Sequence, residues 1–364
     1  MEKQKIIDSL KPYKQGMQIN EVKQKYNLDN IVKLASNENP YGFSSLAKDA
    51  IVSSINDMEL YPDGYAGALR SAVAEKIGVH ENQLVFGSGS DDLIGLICRT
   101  YLYPGANTIM AAPTFGQYRQ NVLVEGAKPK EIPLAGGSHD LKKMEQVIDE
   151  NTEIIWLCSP NNPTGCAIEK QTLYDFLATI PSNITIVLDE AYYEFMDEED
   201  KPHVEQKLGS FSNVIVLRTF SKAYGLAGLR IGYAVCSKEN SNKLNAVRAA
   251  FNTSALAQRA ALAALKDDAF LQATIKSNQS VRDSFQDFLD QLGWRYERSQ
   301  TNFLLVHTPT SGDELFEYLL RKGFIVRSGE ALGCPNTVRI TIGKQEDMDE
   351  LQKYLKQFNQ EVKG

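Results

Sequence analysis

The stretch that decides the fold is Asn213–Cys236, NVIVLRTFSKAYGLAGLRIGYAVC. Two short apolar runs, NVIVL and IGYAVC, flank a turn-rich middle that carries Lys222 among small residues. Consecutive β-branched and apolar positions are the pattern of strands buried on both faces. The same kind of run recurs as QLVFGSG, NTIMAAP, EIIWLCSP and ITIVLDE. Amphipathic stretches such as DDLIGLICRTYL and EKQTLYDFLATI separate many of them. This alternation predicts an α/β architecture, with a large domain built on a mainly parallel central sheet flanked by helices. From about Ser237 to Trp294 the sequence reads as helical, and then TNFLLVHT, DELFEYLLRKG, GFIVRSG and TVRITIG alternate again. That pattern predicts a second, smaller α+β domain. The expected division is an N-terminal arm over residues 1–40 packing on the small domain, a large domain over 41–245 and the small domain over 246–364.

Lysine is rarely buried without a partner. Lys222 therefore sends its charge to solvent along its stem, or is paired, or is not a free ammonium. The other unusual residues decide among these, because they also lie where apolar runs end. GSGSDD follows QLVF, PTFGQY follows NTIMAA, SPNNPTG follows EIIWLC, DEAYYE closes ITIVL and TFSK closes NVIVL. In an open α/β sheet ligands bind beyond the carboxyl ends of the strands, so five such ends describe one site.

Pyridoxal 5'-phosphate, held by Lys222 as a Schiff base, accounts for all five ends. Asp189 ends a buried apolar strand, where a lone carboxylate is costly, and pairing with the pyridine nitrogen compensates it. Asn162 and Tyr192 are candidates for the ring oxygen, and Phe115 for stacking on the ring face. The GSGSDD turn opens a helix, whose first N–H groups and dipole favour a phosphate. Ser90 and Asp91 lie nearest that start, Ser221 offers a hydroxyl and Arg230 a guanidinium.

Composition narrows the partners. The 364 residues hold 46 acidic and 39 basic side chains, a formal net charge of -7, with no basic block. That balance argues against a nucleic-acid or acidic-membrane partner. Five cysteines, widely spaced and without a C-x-x-C pair, and four histidines without ligand spacing argue against a metal centre. The first ten residues, MEKQKIIDSL, lack an apolar signal core, and no run reaches membrane-spanning length. The expectation is a cytoplasmic protein. S-L-A-K at Ser45–Lys48 matches a serine β-lactamase element, but S-D-N and K-T-G are missing.

TFSKAYGLAG resembles the lysine-attachment signature of fold-type-I aminotransferases, and the RIG after it their phosphate-binding arginine. SPNNPTG and the D-E-A-Y segment resemble the other two hallmarks, in the expected order. LASNENPYG, YPDGY, GSGSDD, TNFLL, VRSG and VRITIG extend the likeness, from KPYKQG to the last helix, to the histidinol-phosphate aminotransferase family. The resemblance implies the fold-type-I pyridoxal-phosphate transferase fold and roles for Lys222, Asp189, Asn162, Tyr192, Ser221 and Arg230 as above. It further implies that Tyr61, of YPDGY, reaches the phosphate in a neighbouring subunit, making a homodimer part of the site. Arg339 and Arg327 match substrate-anion arginines, suited to a phosphate or to the carboxylates of glutamate. Tyr13 and Asn37 match residues lying over the substrate. The implied reaction exchanges L-histidinol phosphate and 2-oxoglutarate with imidazole-acetol phosphate and L-glutamate. An aromatic or broad-specificity aminotransferase and a threonine-phosphate decarboxylase share the cofactor residues and are the rival readings.

Overall fold

The chain enters its sheets through β1 (Val32–Lys33) and then lays down β2 (Leu84–Gly87), β3 (Asn107–Ala112), β4 (Lys128–Pro133), β5 (Thr152–Cys158), β6 (Thr185–Asp189), β7 (Val214–Thr219) and β8 (Gly232–Cys236). Four more follow: β9 (Phe303–His307), β10 (Phe324–Ile325), β11 (Arg327–Ser328) and β12 (Thr337–Thr341). The structure is a computed structural model that describes Ile7, Asp8, Leu10 and residues 16–363. Tyr13 lies outside the described residues.

Seven strands form the main sheet in the order β2-β8-β7-β6-β5-β3-β4. β3 to β7 pair in parallel, while β8 runs antiparallel to both its neighbours, β2 and β7. The reversal has a positional consequence. β2, β3, β5, β6 and β7 all end at one edge, and β8 begins there, with Gly232 opposite both Gly87 and Thr219. The five segments singled out in the sequence, and Arg230 just before β8, are thus delivered to the same rim.

Every residue of β6 and β7 is buried, as a sheet covered on both faces requires. Side chains alternate between two apolar layers. Ile186 and Leu188 join Leu69, Val73, Leu173 and Phe176 on one face, whereas Val187 joins Leu93, Ile97, Tyr118 and Val122 on the other. The helix Ala255–Ala264, C-terminal to the expected division at 245, contributes Ala257, Ala260 and Ala261 to the first of these layers.

A three-stranded antiparallel sheet, β11-β12-β9, has its own core. Leu304, Val306 and Ile340 pack there against Phe285 and Leu289 of the helix Asp268–Leu292 and Leu355 of the helix Gln345–Lys363. Asp267 caps the first of those helices and Gly293, in the left-handed region, ends it. The N-terminal segment packs on this body. β1 pairs with β10, and Val22 and Ala35 bury against Leu320 and Ile325.

Candidate active site

Asp189 ends β6 with 2% of its surface exposed. Its Oδ2 accepts a hydrogen bond from the Tyr118 hydroxyl at 2.7 Å, and its Oδ1 accepts from the Ala191 N–H at 3.1 Å. Burial, only partly offset by these two bonds, pushes its carboxyl up to about 6. Tyr118 is fixed in turn by stacking on Trp156 at 4.9 Å, and Phe115 meets its edge at 5.6 Å.

This placement has a pH signature. Between the ordinary carboxyl value of 3.8 and about 6, the folded chain holds the Asp189 proton and the unfolded chain releases it. Stability from this group is present at low pH and is lost as pH rises through 6, by roughly 3 kcal/mol in the cofactor-free protein. Urea unfolding of that protein and of its Asp189→Asn variant checks this. The stability of wild type relative to the variant should fall between pH 5 and 7.5, and a constant difference would contradict it.

Lys222 follows β7, and its Nζ donates to the Ser36 carbonyl at 3.1 Å. Desolvation, with the charge of Arg339 next in size, lowers the amine to about 8. The ammonium and the free amine are therefore close in energy near neutrality.

The rim between β2 and β8 forms an anion cradle. Arg230, itself at φ 53°, donates from Nη1 to Ser221 Oγ at 3.3 Å and to the Ala227 carbonyl at 3.1 Å. Its guanidinium lies against Gly89, where a β-carbon would collide with it, and Gly89 has φ +84°. Only glycine suits both demands. Ser90 and Asp91 then open the helix Ser90–Tyr101, whose first-turn N–H groups lack partners within the helix.

Asn162, beyond β5, accepts from Arg339 Nη1 at 2.6 Å, while Arg339 Nη2 donates to the Ala35 carbonyl at 2.6 Å. The β11–β12 register sets Arg327 directly opposite Arg339. Directly opposite residues of an antiparallel pair share a face, and two arginines there suit an anion. Tyr192 packs edge-on to Phe303 at 5.2 Å, and its hydroxyl accepts from Asn37 Nδ2 at 2.8 Å.

The rim thus gathers Lys222, Asp189, Ser90, Asp91, Ser221, Arg230, Asn162, Tyr192, Asn37 and Arg339, with Phe115 at its margin. Asn37 has both ends of its amide committed within the protein, to Tyr192 and to Thr341. Tyr61 stands apart, 82% exposed and stacked on Phe251 at 4.8 Å. Val52, Ile55, Met58, Leu60 and Tyr65 are also exposed nearby in sequence. Sequence reading missed Tyr118, three residues after Phe115 and in edge contact with it. It also missed the buried Arg218, which bridges Glu190 and Glu205 at 2.8 and 2.9 Å on the opposite face of the sheet from Asp189. Among the described residues, no cluster of His, Cys, Asp or Glu is arranged to hold a metal ion. No helix of the described residues is long and apolar enough to cross a membrane.

A buried carboxylate seeking a cation, an amine poised near neutrality and a glycine-lined anion cradle fit a phosphorylated aromatic ring with a basic nitrogen and an electrophilic carbon. The likeness to known proteins agrees. The family profile of aminotransferase class I and II matches residues 29–355. The chain is 52% identical over 363 residues to histidinol-phosphate aminotransferase 2 of Oceanobacillus iheyensis, covering 100% of each chain. It is 49% identical over 349 residues to histidinol-phosphate aminotransferase of Anoxybacillus flavithermus, covering 96% of this chain and 94% of that one. Among solved structures, histidinol-phosphate aminotransferase from Sinorhizobium meliloti in complex with pyridoxal-5'-phosphate superposes with a TM-score of 0.90 at 26% identity, over 98% of this chain and 97% of that one. Aspartate aminotransferase from Thermus thermophilus shares the fold, with a TM-score of 0.83 at 22% identity over 98% of both chains. Sequence and architecture together make this chain a member of the class I and II aminotransferases, and within them of the histidinol-phosphate aminotransferases.

Proposed function

We propose that this chain is a pyridoxal-phosphate-dependent transaminase that interconverts L-histidinol phosphate and 2-oxoglutarate with imidazole-acetol phosphate and L-glutamate. The observation that carries the reading is the convergence of the Lys222 amine, the buried Asp189 carboxyl and the Arg230 cradle on one sheet edge. When bound, pyridoxal 5'-phosphate supplies an aldehyde for the substrate amine and an electron-withdrawing ring that eases loss of the Cα proton.

The chain's own residues do the rest. Asp189 holds the ring nitrogen and keeps it protonated, and Tyr118 keeps Asp189 in place. Asn162 and Tyr192 hold the ring oxygen, and Phe115 covers the ring face. Ser221, Arg230 and the N–H groups at Ser90 and Asp91 take the phosphate. The Lys222 amine, lowered to about 8, both accepts and returns a proton near neutral pH, as a general acid–base must. Arg339 and Arg327 anchor substrate anions, and Asn37 belongs to the wall over the substrate.

The exposed apolar surface around Tyr61 supports a homodimer in which Tyr61 completes the partner's phosphate site. We place the division between large and small bodies inside the helix Asp268–Leu292. Leu271 packs in the large-sheet core, while Phe285 and Leu289 pack in the small one. The net charge of -7 fits an enzyme of small-molecule substrates better than a nucleic-acid binder, and we assign it to the cytoplasm.

The test is spectroscopic. L-Histidinol phosphate, added to the purified enzyme without a keto acid, should replace the visible cofactor band with a near-ultraviolet one. A response to phenylalanine or tyrosine but not to histidinol phosphate would move the assignment to an aromatic aminotransferase. Arg339→Ala should raise KM for glutamate and for histidinol phosphate together, by about 10- to 100-fold. An unchanged KM for both would place the anion site elsewhere.

A further inference from the structure

Asn37 is 2% exposed, and both ends of its amide are hydrogen-bonded within the protein. The Asn37 backbone N–H donates to Thr341 Oγ1 at 3.0 Å. The Thr341 hydroxyl donates in turn to Asn37 Oδ1, also at 3.0 Å. Oδ1 is therefore the acceptor end of the amide, and Nδ2 is the end that faces the Tyr192 hydroxyl at 2.8 Å. Asn302 Nδ2 pins the same residue from behind, donating to the Asn37 carbonyl at 3.0 Å. Asn37 also sits at φ 56°, a conformation that Asn and Asp tolerate far better than bulky residues.

A phenol oxygen that accepts from Asn37 must point its own hydrogen elsewhere. We propose that Asn37 is a positioning residue that aims the Tyr192 hydroxyl proton at the ring oxygen of the bound cofactor, with Thr341 fixing the amide that does so. The inference rests on the assignment of Tyr192 to the ring oxygen. It ties the orientation of that proton to β12, the strand that also carries Arg339. Asn37 thus acts on the cofactor through Tyr192.

The isosteric variant Asn37→Asp separates this from simple packing, since a carboxylate accepts where the amide donates. The introduced carboxylate would draw the Tyr192 proton to itself and remove a donor from the ring oxygen. The protein is reconstituted with pyridoxal 5'-phosphate, and the visible absorbance band is titrated against pH. A hydrogen bond to a charged oxygen favours its deprotonated form, so Asn37→Asp should raise the midpoint by about one pH unit. The charged and titratable groups facing Tyr192 are Arg339, Asp189, Cys158 and the Lys222 amine, whose Nζ lies 5.8 Å from the ring centre, and all are retained.

The added negative charge also acts through space, and a double-mutant cycle with Tyr192→Phe removes that part. The shift should fall by more than half in the Tyr192→Phe background. Thr341→Val should move the midpoint in the same direction by a smaller amount, and Thr341→Ser should restore it. An unmoved midpoint in Asn37→Asp, or an equal shift with and without the Tyr192 hydroxyl, overturns the inference while leaving the cofactor site intact. Wild-type protein that takes up no chromophore overturns the cofactor assignment, and this inference with it.

Discussion

Lys222→Ala should abolish transamination, lowering kcat by about four powers of ten or more. General acid–base catalysis alone contributes about 10²- to 10⁴-fold, and on the proposed reading the lysine would also hold the cofactor covalently. Nothing else on the rim replaces it. The Lys222 Nζ is placed by the Ser36 carbonyl and tuned by burial and by Arg339, and an alanine leaves no base at that point. The cofactor itself should still bind, because Asp189, Ser221 and Arg230 are untouched. The decisive measurement is single-turnover kinetics on the reconstituted variant, with and without added methylamine. Slow conversion that the free amine accelerates fits a missing proton carrier. Turnover near wild type would sink the mechanism.

The second large effect is expected at Asp189. Asp189→Asn keeps the shape and removes the charge, so the protonated ring nitrogen is left in a buried site without its counter-charge. Breaking one partner of a buried ion pair costs about 3–5 kcal/mol, equivalent to two to nearly four powers of ten, roughly, in rate or affinity. The hydrogen bonds sharpen this expectation. Both Asp189 oxygens already accept, one from Tyr118 and one from Ala191, so an asparagine amide must turn an N–H toward a donor. The loss should appear as a lower kcat and as weaker cofactor binding followed by absorbance. If both stay within a factor of three of wild type, about 0.7 kcal/mol, Asp189 has no such role.

Much of this site is legible in the linear sequence, because its physics is local. Lys222 and Asp189 are conspicuous as charges closing runs such as NVIVL and ITIVL, and a charge at a buried strand end needs a reason. The fold class follows from the same runs. What sequence could not supply is contact across the sheet. Tyr118 reads as an ordinary aromatic on a helix until the packing sets its hydroxyl under Asp189. Glu190 and Arg218 read as strand-end charges until Glu205, from a turn well separated in sequence, closes the buried trio. Asn37 matched a substrate residue by motif, yet its amide is spent on Tyr192 and Thr341, residues more than 150 positions away. Periodicity placed helices between 237 and 294, but which sheet each one covers depends on tertiary packing. Ala257 and Leu271 accordingly fall on the side of the large core.

The left-handed backbone of Arg230 has a bearing on how this protein could be improved. A non-glycine residue at φ 53° costs about 1–2 kcal/mol, so glycine at 230 relieves strain in the folded chain. The guanidinium it would delete is the one wedged beside Gly89 in the anion cradle. A laboratory screen that scores heat resistance alone registers that relief of strain but not the loss of the cradle's guanidinium. Thermostabilising campaigns on this scaffold need a cofactor-retention filter, or position 230 withheld from the library.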